Sequence, residues 1–433
     1  MINLWGLELP MRLLSLLAAL LLALPALAFT PPPWTRSANI YEVNVRQFSR
    51  DSSFNAVTAE IPRLQKMGVK ILWIMPIQPI GVKERKGELG SYYAVRDYKG
   101  INPEFGTLDD FKRLVATAHA HDMKVVLDWV ANHTAWDSAW VTQHPDWYQK
   151  NAQGQISGYV YDNGTSLEHW DDVVGLDYRN KTLWPAMIDA MRYWVDVAGI
   201  DGFRADVAGR VPVPFWVAAR TALDARKPLF WLAEGDAPDL AQAFDMVYDW
   251  DFAHLMQKVA KGKASAADLA AYVEHPRLQY APDTYRMRFT SNHDFNSWAG
   301  SDPELYGAGF KAFAVLAATL PDMPLIYGGQ EASLNKRLEF FKRDPIDWHG
   351  ASLADFYAGL LRLKTDNKAL WNGTAGGKLV MLATGNTDVI AYDRVRDGNR
   401  IRVIANLSGK PAAFSIEAKP RTLAAWDYAI AVD

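Results

Sequence analysis

The sequence predicts a (β/α)8 barrel of the TIM type, with an inserted loop subdomain after strand three and a C-terminal antiparallel β-domain. Three observations predict it. Between residues 37 and 363, eight short apolar runs alternate with segments of helical period. Residues 134–176 break that alternation and carry four Trp among several Asp, Gly and Asn. From about residue 368 the pattern changes to short β-type runs separated by turns.

The eight runs span 40–45, 69–74, 125–130, 199–207, 229–234, 244–250, 285–291 and 323–327. Most are largely apolar rather than strictly alternating, the pattern of a parallel sheet covered on both faces. Helical segments at 108–121, 185–197, 214–226 and 306–319 lie between them. Thr107, three residues before Asp110, is a capping signal for the first of these. An open, doubly wound sheet is the competing architecture, but no Gly-rich phosphate turn opens any of the helices. Residues 134–176 read as a loop insertion on the C-terminal face of the barrel, where sites are built. The final β-type runs are 378–382, 389–394, 400–407, 412–416 and 422–428, with turns at Gly385-Asn386 and Asp397-Gly398-Asn399. The expected organisation is therefore a leader at 1–28, barrel at 29–133, insertion at 134–176, barrel again at 177–367, and a β-domain at 368–433.

The leader rests on its own pattern. Met11-Arg12 precedes an apolar run at 13–24, then Pro25 and Ala26-Leu27-Ala28. A charged start, an apolar stretch and a small-x-small end describe a secretory signal peptide, with Met11 as its expected start. The run is short for a membrane span. The expected location is secreted or periplasmic, with no membrane attachment after cleavage. The chain has 433 residues, 49% of them hydrophobic, and no cysteine. Disulfides, thiolate chemistry and cysteine metal sites are excluded, so an exported form must rely on its core. The net charge of −3, without basic runs, excludes the usual nucleic-acid binder. Seventeen Trp and 18 Tyr mostly pack the core, yet flat faces with polar edges also suit sugar rings.

Four stretches at predicted strand ends carry chemistry. The first is Asp128-Trp129-Val130-Ala131-Asn132-His133. In the second, residues 199–206 (GIDGFRAD), Arg204 and Asp206 are two apart on one strand and share a face. Arg204 is expected to keep Asp206 ionised with a low pKa, as suits a nucleophile; a structural ion pair is the plainer reading. In the third, Phe230-Trp231-Leu232-Ala233-Glu234, a single Glu ends an apolar run with no basic residue within three positions. An apolar setting raises a carboxyl pKa, as a general acid requires. A surface Glu at a strand end is the alternative. The fourth, residues 289–294 (FTSNHD), holds His293 beside Asp294, compatible with a metal site, a triad fragment or a sugar clamp. No Ser stands in a nucleophile elbow and no HExxH occurs.

Taken together, these stretches resemble the four signature regions of the α-amylase family, glycoside hydrolase family thirteen, in order and spacing. Residues 68–76 (GVKILWIMP) and 323–331 (MPLIYGGQE) resemble its second and eighth strands. Gly175-Leu176-Asp177 resembles a further motif near the end of its inserted domain. The resemblance implies a retaining α-glucan hydrolase cleaving α-1,4 bonds, with an α-glucan or maltooligosaccharide as partner and a monomer expected. It implies Asp206 as nucleophile, Glu234 as general acid/base and Asp294 as the carboxylate that holds sugar hydroxyls. Arg204 matches the arginine two residues before the nucleophile. His133 and His293 match the histidines on the glucosyl ring at the cleavage point, and Tyr93 the tyrosine stacked on it. No cofactor is needed for this chemistry. Asn132 and Asp177 match two calcium-ligand positions, but Gly209 and Arg210 stand where many members carry Lys-His, which leaves structural calcium in doubt. An oligosaccharide-acting relative, such as an α-glucosidase, cyclomaltodextrinase or transglycosylase, is the nearest rival. A silent binding relative is the other, and such proteins usually lose the carboxylates present here.

Overall fold

The computed structural model describes residues 29–433 apart from 163, 276–279, 282, 350 and 351. The expected leader lies outside the described residues. Among the described residues, no helix is long and apolar enough to cross a membrane.

Eight parallel strands close into a barrel, each overlapping one of the apolar runs. They are β1 (Ile40–Val43), β2 (Ile71–Ile74), β3 (Lys124–Trp129), β7 (Gly202–Ala205), β8 (Phe230–Ala233), β9 (Met246–Tyr248), β10 (Tyr285–Arg288) and β11 (Met323–Tyr327). Neighbours follow chain order, and β11 returns to pair with β1. Buried on both faces, these strands have no polar side to alternate, so Ile71, Leu72, Trp73 and Ile74 are all fully covered. Helices surround the barrel. The one at Leu108–Ala120 starts with the expected reciprocal cap, Thr107 Oγ1 accepting from the Asp110 N–H and Asp110 from the Thr107 N–H.

The N-terminal face of the barrel is closed by carboxylates and an amide that stitch neighbouring strands together. Asn39 Oδ1 accepts from the Lys70 N–H, Asp201 Oδ2 from the Val125 N–H at 2.9 Å, and Asp245 Oδ2 from the Trp231 N–H at 3.0 Å. That face holds the fold; the opposite face is left free for chemistry.

The insertion is more regular than its sequence suggested. It forms a three-stranded antiparallel sheet of β4 (His133–Ala135), β5 (Gly158–Asp162) and β6 (Leu167–Gly175), in the order β4-β6-β5. The C-terminal domain holds a four-stranded sheet of β12 (Lys378–Met381), β13 (Val389–Arg396), β14 (Asn399–Asn406) and β17 (Tyr428–Val432). A hairpin of β15 (Ala412–Ile416) and β16 (Lys419–Leu423) lies beside it. The run expected at 422–428 is two strand ends, because a turn at Glu417-Ala418 starts β16 earlier. Both turn residues sit at positive φ without the Gly or Asn that normally signals it.

The helix Phe310–Thr319 is buried on every side from Ala312 to Thr319. It lies between the barrel and the C-terminal sheet, whose Tyr392 and Arg394 reach Thr319 at 2.6 and 2.9 Å. An all-apolar helix needs cover on both sides, and the sheet supplies the outer one.

Candidate active site

The site is built where β1, β2, β3, β7, β8 and β10 end. Arg204, on β7, pairs in register with Asp128 on β3 and is fully buried. Its Nη1 donates to Asp128 Oδ1 at 2.9 Å and to Asp206 Oδ1 at 3.1 Å; its Nη2 lies 3.0 Å from Glu234 Oε2. One guanidinium thus holds three carboxylates. A buried cation is tolerable only with such partners. The backbone ladder continues past the strands, with the Asp206 N–H on the Trp129 carbonyl and the Glu234 N–H on the Ala205 carbonyl. That fixes where both carboxylates leave the barrel.

Val207, directly after Asp206, has φ 38° and ψ 47°. A β-branched residue in the left-handed region is strained, and such strain collects at functional sites. The conformation turns the Val207 N–H onto Glu234 Oε2 at 2.6 Å.

Across the cleft, His293 Nδ1 donates to Glu42 Oε1 at 2.5 Å, while its Nε2 lies 2.8 Å from Tyr93 Oη and 3.3 Å from Asp294 Oδ2. Tyr93 Oη donates to Asp128 Oδ2 at 3.2 Å, and Trp73 Nε1 to the same oxygen at 3.1 Å. The two halves of the site therefore meet at Asp128.

The electrostatics follow from burial and this crowding. Burial disfavours the imidazolium of His293, but the charges of Asp294 and Glu42 outweigh it and raise its pKa to about 9. Burial pushes Asp206 well above the carboxylate range, the charge of Glu234 adds to it, and Arg204 only partly opposes. This corrects the expectation of a low pKa at Asp206. Glu234, expected in an apolar setting, instead faces Arg204 from the adjacent strand. One guanidinium holds Asp206 and Glu234 side by side. Burial pulls His133 down to about 4, so it is neutral.

All seven site residues read from the sequence converge here. Tyr93, His133, Asp206, Glu234 and Asp294 line a cleft of about 660 Å³, with Arg204 and His293 buried beneath. Tyr161 and Trp170 of the inserted sheet also line the cleft, as do Trp298, Phe340 and Phe341. Glu42, Trp73 and Val207 were not singled out in the sequence, and Asp128 carried no role there. Glu42 and Trp73 lie within apolar strands and join the site through contacts between strands, which no local pattern signals.

Residues 49–347 match the family model for the α-amylase catalytic domain. This chain belongs to the α-amylase family. Its members are glycoside hydrolases and transferases, and the chain is an enzyme of that kind. A Lactobacillus plantarum α-amylase structure is 31% identical, covering 92% of this chain and 99% of that one, with a TM-score of 0.81. The maltogenic α-amylase AmyB of Thermotoga neapolitana is 29% identical, covering 92% and 96%, with a TM-score of 0.80. Among curated relatives, the α-amylase MalA of Haloarcula japonica is 27% identical over 90% of this chain. A maltosyltransferase of Rhodospirillum rubrum, acting between α-1,4-glucan and maltose 1-phosphate, is 28% identical over 88%. The chain spans 58% of the length of each of those two relatives.

At the two positions that match calcium ligands, both side chains already have protein partners. Both carboxylate oxygens of Asp177 bond the Arg179 guanidinium, at 2.7 to 3.1 Å. The Asn132 amide nitrogen lies 3.1 Å from His133 Nδ1. Among the described residues, no group of three or more His, Cys, Asp or Glu side chains could hold a metal ion. Arg210, where many α-amylases carry histidine, stacks on Tyr161 at 4.8 Å and donates to the Asp162 carbonyl.

Proposed function

We propose that this chain is a secreted or periplasmic retaining α-glucan hydrolase that cleaves α-1,4 bonds. The observation that carries the reading is one buried guanidinium, Arg204, holding Asp206 and Glu234 in the cleft that Asp294 also lines. Two carboxyl groups tied to one cation stay close, and retaining enzymes use a close pair. Asp206 attacks the anomeric carbon while Glu234 protonates the leaving oxygen. Glu234 then takes a proton from water, which displaces Asp206 and gives a product of retained configuration.

Charge balance supports the same chemistry. Five carboxyl groups (Glu42, Asp128, Asp206, Glu234 and Asp294) surround two cations, Arg204 and His293. A site with surplus negative charge favours the oxocarbenium-like transition state of glycosidic cleavage. Asp294 and His293 hold sugar hydroxyls in this reading, Tyr93 stacks on the ring, and neutral His133 hydrogen-bonds it. Export rests on the leader pattern at 11–28.

Similar proteins divide between amylases and transferases, the latter including cyclomaltodextrin glucanotransferases at 26% identity. That division favours one second reading, in which a sugar hydroxyl rather than water takes the glycosyl group. The test is incubation of the mature protein and Asp206→Asn with soluble starch and maltoheptaose. Wild type shortens both, and the variant loses at least about 10⁴-fold in rate. Products longer than maltoheptaose establish transfer instead. No cleavage of either substrate by wild type contradicts the reading.

A further inference from the structure

We infer that Arg210 determines specificity by clasping the tip of the inserted sheet over the cleft, so that a short glucan reaches the carboxylates more readily than a polymer. The inference rests on the glucan reading above and extends it to the kind of chain admitted.

The inserted sheet covers the catalytic centre. Trp170, on β6, lies 5.7 Å from the His133 ring, and Tyr161, on β5, stacks on Trp170 at 4.8 Å and 12°. Tyr161, Glu168 and Trp170 line the same cleft as Asp206 and Glu234. They belong to the outer half of the sheet, and that half is weakly built. β4 pairs with β6 only at residues 173–175. Among the described residues, β5 is the one ladder partner of residues 167–170. Leu167, Glu168, His169 and Asp171 are exposed, so little burial supports this two-stranded ribbon, and such a ribbon is marginal in water on its own. The register shift between Gly158 and Tyr159 sets a bend where the ribbon leaves the three-stranded part.

Two cations from barrel loops hold the ribbon down, one on each strand. On β6, Lys86 Nζ donates to the His169 carbonyl at 3.1 Å and lies 3.2 Å from Asp172 Oδ1. Asp172 is buried, so this grip is near the fixed half. On β5, Arg210 donates to the Asp162 carbonyl, and its guanidinium lies over the Tyr161 ring at 4.8 Å. Asp162 ends β5, so this grip is at the tip. Arg210 itself ends the short turn Ala208–Arg210, four residues beyond Asp206. The clasp therefore spans from the turn behind the catalytic pair to the tip of the ribbon.

Arg210 is exposed. A bond from an exposed guanidinium to a carbonyl and one cation–π contact are each modest, so the clasp opens and shuts rather than locks. The shut cleft of about 660 Å³ is of the size that encloses a small ligand. A polymer continues past the rim and needs the ribbon raised. Its rate then carries the fraction of molecules with the clasp open, and the rate on a short substrate does not.

The test compares soluble starch with maltoheptaose. Arg210→Ala removes the clasp. It is expected to raise kcat/KM on starch about fivefold, equivalent to roughly 1 kcal/mol, and to leave maltoheptaose within about twofold of wild type. The reverse change exploits the absence of cysteine. With Asp162→Cys and Arg210→Cys, the two introduced thiols are the only ones in the chain, and a short bis-maleimide joins them. The joined protein is expected to cleave maltoheptaose and to lose at least about tenfold on starch against the same protein left unjoined. A starch-to-maltoheptaose ratio that is the same in every form refutes the clasp while the glucan reading stands. Loss on both substrates alike, in Arg210→Ala or in the joined protein, also refutes it, since Arg210 or the ribbon would then act on every substrate. No cleavage of either substrate by wild type fells both readings together.

Discussion

Glu42 uses one carboxylate oxygen on His293 and, among the described residues, leaves Oε2 without a hydrogen-bond partner. A buried carboxylate so placed acts mainly through its charge, which adds to that of Asp294 in keeping His293 protonated. His293 is raised from 6.5 to about 9, so its contribution to stability is complete below pH 6.5 and is lost as pH rises through about 9. The alkaline limb of kcat/KM is expected near pH 9. Glu42→Gln keeps the hydrogen-bonding shape, removes the charge, and should move that limb down by about one unit, roughly 1.4 kcal/mol. A pH–rate profile checks this, and an unmoved limb contradicts it. At this scale the sequence was informative where a pattern was local. Arg204 and Asp206 declared a shared face by their spacing of two. Their contacts with Asp128 and Glu234 arise only when β3, β7 and β8 lie side by side, so the proton balance of Asp206 was misjudged.

The strands that carry these groups were legible because a barrel strand buried on both faces is mainly apolar. The inserted sheet was not, because β5 and β6 are half exposed and their outer residues break the pattern. Turns signalled by Gly were found, as at Asp397-Gly398, and the Glu417-Ala418 turn was missed. Element packing also makes a sharp prediction at Gly202. A Cβ there would lie 2.1 Å from the Phe230 carbonyl oxygen on β8. Backbone cannot give way as a side chain can, so β7 and β8 must separate. Gly202→Ala is expected to lower unfolding stability by about 3 kcal/mol, read from denaturant melts, and to lower activity through Arg204 two residues on. A variant as stable as wild type would contradict the close approach of these strands.

Across the whole molecule, barrel and C-terminal sheet share one core, in which Tyr392, Ile401 and Val403 pack with barrel residues. That continuous support keeps the C-terminal ends of six strands in fixed relation, which is what places carboxylates from β3, β7 and β8 on one guanidinium. The central claim is that this arrangement serves a covalent, retaining reaction at Asp206. Mass analysis of the protein after reaction with a 5-fluoro α-glucosyl fluoride tests it most directly, since such a substrate forms the glycosyl-enzyme faster than water releases it. The expected result is one added glycosyl unit, located on the peptide containing Asp206 and missing from Asp206→Asn. Turnover of the reagent without any adduct, or an adduct on another carboxylate, would contradict the account.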